Sequence, residues 1–305
     1  MIDVSLLGTG GMIPLPGRFL SSLLLRVNGS LVLVDCGEGT QVSMRLLGWG
    51  FKNIDIICFT HFHGDHVSGL PGLLLTMANS DRTEPLKLIG PPGLRHVVSS
   101  LLVIANDLPF ELDFLEWDRK GTHEYACGMF SISVLPVKHS APCFAYRFEL
   151  KRRGKFDPLR AKELKIPLKL WGILQKQTDM THVYNDIEYT SDMVLGPGRK
   201  GLKIVYCTDS RPVLALNEFA SFADLFVCEG LYGSVENQQK AAAHMHMSFM
   251  EAAEIAKKAQ VKEMWLTHFS PAMPDPWNYL KSAVDIFPES KIGKDRMTKT
   301  LRFEE

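Results

Sequence analysis

The stretch Thr60-His61-Phe62-His63-Gly64-Asp65-His66 decides how this chain is read. It follows directly on the apolar run Ile54–Phe59, which reads as a strand. Three imidazoles and one carboxylate within six residues are costly to keep together unless something binds them. Neutral imidazole with carboxylate suits zinc and its borderline relatives, with manganese or iron also open where carboxylates contribute. Gly64 is expected to relax the backbone so that four neighbouring side chains can serve two ions. Ligands gathered at the carboxyl end of a strand also fit an α/β layer, where the crevice opens on that side.

Three further polar residues stand in the same setting, just past apolar strand-like runs. His139 follows Phe130–Pro136, Asp209 follows Ile204–Cys207, and His268 follows Met264–Thr267. Each alone reads as structural. Together with the first four they make seven ligands, enough for two ions with one shared carboxylate. By contrast His96, His123 and His182 have no ligand-like spacing and read as structural, and Gly8-Thr9-Gly10-Gly11 reads as a tight turn.

Outward from these motifs, short apolar runs closed by Gly, Pro or Asn recur along the chain. Val4–Leu7, Ser22–Val27 and Leu31–Asp35 read as strands, with Asn28-Gly29 as a hairpin signal. Further strands are expected at Lys87–Gly90, Leu112–Trp117, Phe130–Leu135, Cys143–Leu150, Leu202–Cys207, Leu225–Cys228 and Glu263–Thr267. Helical patterns fall at Gln41–Leu47, Val67–Met77, Gly93–Asn106 and Ser248–Ala259, the last opened by a Ser248–Glu251 capping box. Strands and helices interleave, which is the mark of a layered α/β protein.

The 305 residues are 46% hydrophobic and 22% charged, ordinary for a globular protein with a real core. No apolar run is long enough for a membrane span, and Met1–Leu7 reads as a first strand rather than a signal peptide. The six cysteines are scattered singly, mostly in apolar segments, so they read as reduced thiols of a cytoplasmic protein. Lys plus Arg (34) equals Asp plus Glu (34), so a nucleic-acid partner would need a local basic patch. One exists: Arg147–Lys176 carries ten Lys or Arg against three acidic residues. The stretch from about Lys151 to Arg199 shows weak core periodicity and reads as an insertion.

The H-x-H-x-D-H run with distant His, Asp and His resembles the metallo-β-lactamase superfamily. Within it, Asp35-Cys36-Gly37-Glu38-Gly39-Thr40-Gln41 resembles the hallmark of ribonuclease Z, the tRNA 3′-processing endonucleases. Leu7–Gly10, Thr267–Pro271 and His246-Met247-Ser248 before an alanine-rich helix are similar as well. The resemblance spans residues 1–305 and implies one αββα sandwich with an arm inserted at about 151–199. It implies that His61, His63 and His139 hold one ion, that Asp65, His66 and His268 hold the other, and that Asp209 bridges them. Two zinc ions per subunit are the expectation. Asp65 would also orient the attacking water, and His246, oriented by Glu229, would protonate the leaving oxygen, although His244 stands close enough in sequence to compete for that role.

The same resemblance makes the arm a grip on precursor tRNA, through residues such as Arg152, Arg153, Lys155 and Arg160, and makes the protein a homodimer. The chain departs from the family pattern in places. Thr208-Asp209-Ser210 replaces Gly-Asp-Thr, Cys228-Glu229-Gly230-Leu231 replaces His-Glu-Ala-Thr, and the arm has no Gly-Pro motif at Ile166–Leu170. The Pro14–Phe19 loop keeps only the Pro and the Arg of a motif that helps many members reject CCA-ended tRNA, so cleavage before or after CCA stays open. Two other readings compete with tRNA processing: a two-metal phosphodiesterase or esterase of small substrates, and a metal-stabilised RNA-binding protein without turnover.

Overall fold

Runs of branched aliphatic residues with no polar alternation build strands that are buried on both faces. The structure, a computed structural model, describes residues 1–105, 107–176, 181–233 and 237–304. Its first sheet contains β1 (Ile2–Gly8), β2 (Ser22–Val27), β3 (Ser30–Val34), β4 (Ile54–Cys58), β5 (Leu86–Gly90) and β6 (Leu112–Glu116). The second contains β7 (His123–Cys127), β8 (Phe130–Val137), β9 (Cys143–Arg152), β12 (Arg199–Cys207), β13 (Leu225–Glu229), β14 (Met264–Thr267) and β15 (Ser290–Ile292). Between β9 and β12 lies the hairpin β10 (His182–Tyr184) and β11 (Ile187–Tyr189), and β16 (Thr298–Leu301) returns to pair with β1. The strand orders are 16-1-2-3-4-5-6 and 15-14-13-12-9-8-7.

Both sheets share one plan. Each opens as an antiparallel meander and continues with parallel strands, beginning at the β3–β4 and β12–β13 pairs. Parallel strands need crossovers, and the helices that supply them cover the outer faces. On the first sheet these are α1 (Thr40–Leu47), α2 (Gly64–Val67), α3 (Leu70–Ala78) and α4 (Leu94–Leu101). Helices α5 (Pro158–Glu163) and α6 (Leu168–Lys176) belong to the segment between β9 and β12. Between the parallel strands of the second sheet lie α7 (Leu214–Phe219), α8 (Gln238–Ala243), α9 (Phe249–Lys258) and α10 (Leu280–Val284).

Three clusters give the expected αββα layers. Val32, Val34 and Ile56 of the first sheet meet Ile132, Phe144, Tyr206 and Trp265 of the second between the sheets. The alternate residues Leu31, Leu33 and Ile57 pack outward with Met44, Leu73, Leu74 and Val98. On the far side Val205, Phe226 and Cys228 pack with Phe219, Phe249 and Ala253. Each such buried aliphatic or aromatic side chain contributes roughly 1.5–3 kcal/mol over its exposed state.

Polar pins join the sheets at one edge. Phe144 N–H donates to Thr60 O at 3.0 Å, and Tyr146 O–H donates to Phe59 O at 2.8 Å. Near the opposite flank of that edge, Gly11 N–H reaches Phe269 O at 3.0 Å and Phe269 N–H reaches Thr9 O at 2.8 Å.

The structure corrects several expected boundaries. The helix expected at Val67–Met77 is two helices, broken at Ser68 and Gly69. Gly69 N–H bonds Cys36 O there, and a Cβ on Gly69 would lie 2.2 Å from Gly37 O, so the break lets the chain press onto the loop after β3. The helix expected to Asn106 is α-helical only to Leu101 and 3₁₀ over Leu102–Ile104, while Asn106 lies outside the described residues. Gly64 opens α2 in ordinary helical geometry, and a Cβ there would meet nothing within 4 Å, so the motif does not depend on a relaxed backbone at that position. Asn28 and Gly29, both at positive φ (52° and 90°), form the expected hairpin turn.

Candidate metal centre

Every ligand foreseen from the sequence sits past the carboxyl end of a strand along the pinned edge. His61, His63, Asp65 and His66 follow β4, His139 follows β8, Asp209 follows β12 and His268 follows β14. Asp209 and His268 adopt left-handed φ values of 46° and 57°, as does Asp35 (57°) at the end of β3. Left-handed backbone at three non-glycine strand ends is costly, and such strain collects at functional sites.

The seven residues converge. His61, His63 and His139 bring one ligand atom each within 4.8 Å of one another, and so do Asp65, His66 and His268. The two oxygens of Asp209 divide between them: Oδ2 lies 3.0 Å from His66 Nε2 and 3.3 Å from His268 Nε2, while Oδ1 lies 3.9 Å from His139 Nε2. That is the placement a shared carboxylate needs.

The surroundings choose which nitrogen each ring presents. Asp35 accepts from Thr60 Oγ1 at 2.9 Å, so the Thr60 oxygen is left to accept from His61 Nδ1 at 3.0 Å. Asp35 Oδ2 also accepts from His66 Nδ1 at 2.9 Å, and Met245 O accepts from His139 Nδ1 at 3.2 Å. All three rings therefore aim an Nε2 lone pair inward, the arrangement in which outer partners orient metal-binding imidazoles. His63 instead turns Nδ1 inward, 3.0 Å from His61 Nε2 and 3.2 Å from His139 Nε2.

This donor set fits divalent cations. Lone pairs of several imidazoles held about 3 Å apart repel unless a cation lies between them. His66 Nε2 and Asp209 Oδ2 are also buried without a hydrogen-bond partner, although 3.0 Å apart. Burial, reinforced by the neighbouring His66, holds His61 well below the usual imidazole range, and burial lowers His139 too, leaving both as neutral bases. Burial opposes charge on Asp209, but the facing imidazoles of His268 and His66 outweigh it and hold the carboxyl well below the usual carboxylate range.

His246 closes the cluster. Its Nδ1 donates to Glu229 Oε2 at 3.0 Å, and its ring lies 5.2 Å from that of His139 and 5.6 Å from that of His268. Burial works to depress its pKa, but the charge and hydrogen bond of Glu229 prevail, aided by Asp209 and Asp65, and lift it to about 9. His244 is exposed at the end of α8 and joins none of the ligand groups among the described residues, so it is His246 that stands on the cluster.

Sequence reasoning missed the roles of Asp35, Thr60, Met245 and Met12. Met12 N–H donates to Asp65 Oδ2 at 2.7 Å, and a Cβ on neighbouring Gly11 would fall 2.7 Å from the His268 ring, so the Gly8–Gly11 turn is a seat for two ligands. Asp35 stood in a family-like motif without an assigned task; its signal was position, a carboxylate at a strand end beside the cluster. Main-chain partners such as Met245 O carry no signal in residue type.

The basic residues fall elsewhere. Arg152 donates to Glu304 O and stacks on Phe303, and Arg153 donates to Lys176 O. Lys155, Arg160, Lys162, Lys165 and Lys169 are exposed. The segment has its own small core of Ala161, Ile166, Leu170, Leu174, Tyr189 and Val194, which the weak periodicity of the sequence did not foretell. Residues 177–180, within the expected arm, lie outside the described residues.

Comparison with known proteins bears on this site directly. Residues 2–105 match the family model described as anti-Pycsar protein Apyc1, a span that ends before the second sheet begins. Ribonuclease Z of Lachnoclostridium phytofermentans is 53% identical over 305 residues, covering 100% of this chain and 99% of that protein. Ribonuclease Z of Lachnospira eligens is 52% identical with the same coverage. Among solved structures, human tRNase Z, short form, superposes with a TM-score of 0.72 at 24% identity, covering 99% of this chain and 100% of that one. The metallo-β-lactamase fold protein YhfI from Bacillus subtilis gives 0.70 at 19% identity, covering 98% of this chain and 98% of its own, and both likenesses speak for the fold. With ligands, sandwich and full-length identity in agreement, the chain belongs to the ribonuclease Z family.

Proposed function

We propose that this chain is a metal-dependent endoribonuclease that removes the 3′ trailer from precursor tRNA, leaving a 3′-hydroxyl on the tRNA and a 5′-phosphate on the trailer. The observation that carries the chemistry is the convergence of seven ligand side chains with the His246–Glu229 pair at one edge of the sandwich. His61, His63 and His139 would hold one divalent ion and Asp65, His66 and His268 the other, with Asp209 between them; zinc is the ion this nitrogen-rich set favours. Bound there, two ions supply a water acid enough to attack at neutral pH and positive charge for the oxygens of an in-line displacement at phosphorus.

The remaining work belongs to the chain itself. Asp65, held by the Met12 amide, faces the cluster and can orient the attacking water. The leaving 5′ oxygen of the trailer is a poor leaving group and needs a proton. His246 carries one at neutral pH, fixed through Nδ1 by Glu229 so that Nε2 is left to donate. The segment at about 151–199 acts as the arm that grips tRNA away from the metals, its exposed Lys155, Arg160, Lys162, Lys165 and Lys169 neutralising phosphates without reading bases. Arg152 and Arg153, engaged by Glu304, Phe303 and Lys176, are better suited to holding the arm's root.

The protein works as a homodimer in the cytoplasm. The apolar side chains Val42 and Leu46 exposed along α1 are consistent with a partner surface, and the free cysteines with a reducing compartment. No described helix is long and apolar enough to cross a membrane. The test is to incubate zinc-loaded protein with a 3′-extended precursor tRNA and map the ends. One cut at the discriminator base or after CCA supports the reading and settles which of the two it is. Turnover of a small phosphodiester with no cut in the RNA would replace it with the small-substrate hydrolase.

A further inference from the structure

Arg211 lies two residues beyond Asp209 and takes no part in the ligand set, yet it ties together the loops that carry the site. Its amide donates to Lys138 O at 2.8 Å, and Lys138 N–H reaches Ser210 Oγ at 3.3 Å, so the His139 loop is laced to the Asp209 loop. Its guanidinium donates through one nitrogen to His246 O and to Glu251 Oε2 (3.0 Å), and through the other to Glu251 Oε1. Glu251 in turn accepts from Ser248 N–H at 2.9 Å in the capping box of α9.

His246 is thus gripped at three points. Glu229 holds its ring, Ala241 O accepts its amide at 2.8 Å, and Arg211 holds its carbonyl. A guanidinium fork meeting a carboxylate with two bonds is directional as well as charged, which a lone ammonium is not. The pair is largely shielded, with side-chain exposures of 19% for Arg211 and 14% for Glu251, so water does little to weaken it.

We propose that Arg211, anchored by Glu251, is a positioning residue that sets the place of His246 relative to the leaving oxygen, an inference that rests on His246 as the proton donor. Its reach is through the main chain: without the fork, the Met245–Ser248 turn loses the guanidinium that holds it to the Asp209 loop, and His246 moves off line. A displacement near 1 Å at a proton donor costs on the order of a hundredfold in rate.

The experiment is a double-mutant cycle on the metal-loaded enzyme, with single-turnover cleavage of precursor tRNA as the measurement. Arg211→Gln is expected to slow cleavage about 10- to 100-fold at saturating RNA, with KM, metal content by elemental analysis and Tm near wild type. Arg211→Lys should recover part of that loss, and Glu251→Gln should reproduce it. In a His246→Ala background, Arg211→Gln should cost nothing more. With bis(4-nitrophenyl) phosphate, whose leaving group departs without a proton, the loss should be several-fold smaller than with RNA. Should Arg211→Gln fail to fold or lose metal, the Glu251→Gln and His246→Ala pair carries the same cycle. Additive losses in the double mutant, or equal losses on both substrates, overturn the positioning role. Wild-type cleavage by His246→Ala alone overturns the donor assignment itself, a different result from additivity and one read in the same assay.

Discussion

The metal cluster and the segment between β9 and β12 are held by opposite means. The cluster has no core of its own. Its side chains come from the ends of four strands in two sheets, and four of them, His66, His61, His139 and Asp65, are placed by groups outside the ligand set: Asp35, Thr60, Met245 O and the Met12 amide. The inserted segment has its own small core and closes on itself, with Gly196 N–H bonding Lys155 O at 2.8 Å at its neck, while Lys155, Arg160, Lys162, Lys165 and Lys169 stay exposed. Chemistry at phosphorus needs fixed geometry, whereas gripping a phosphate backbone needs charge in roughly the right place. On the proposed function, one region should therefore be sensitive to single atoms, and the other to net charge.

The sharpest break of that contrast is Asp209→Ala. It removes the carboxylate that faces both triads, so elemental analysis should find metal lost from both positions and cleavage reduced at least about a thousandfold. Full metal content with full activity would end the shared-carboxylate assignment. Next in size is His246→Ala, expected to lower single-turnover cleavage by about 10²–10⁴ with metal and tRNA binding kept.

Asp35→Asn probes the outer support. It replaces one of the two accepting oxygens with an NH2 donor, so His66 Nδ1 and the Thr60 amide and hydroxyl can no longer all be accepted, and metal affinity or activity should fall about 10- to 100-fold in a chelator competition assay. An unchanged affinity would mean that the strand ends alone orient the rings.

The smallest effect is expected in the arm. Reversing Arg160 and Lys165 to Glu should weaken precursor binding and reduce its salt dependence by about 0.7–0.9 for each phosphate no longer neutralised, leaving the rate at saturation unchanged. Affinity that survives both reversals would move the anchor elsewhere, first to Lys162 and Lys169. A large fall in the saturated rate would show that the two regions are coupled rather than separate.

Much of this was open to reading in the chain. Ligand residue types, their place after apolar runs and the capping box at Ser248–Glu251 are local, and local patterns survive in sequence. The break at Ser68–Gly69 was not, because it answers a contact with Gly37 that lies far away along the chain. Nor were β7 and the β10–β11 hairpin, whose half-exposed strands show no apolar run, or β15 and β16, which are three and four residues long.

The division has a physical cause. Sequence by itself determined the chemistry, since three imidazoles and a carboxylate in six residues leave few stable outcomes without a metal. It also marked the basic stretch as a place where an anion could be met. Only the tertiary structure decided which nitrogen each histidine presents, that Asp209 faces both triads, and that His246 rather than His244 stands at the cluster. Those are matters of hydrogen bonds between residues far apart in the chain, often to main-chain atoms, and such partners exist only once the two sheets have closed on each other.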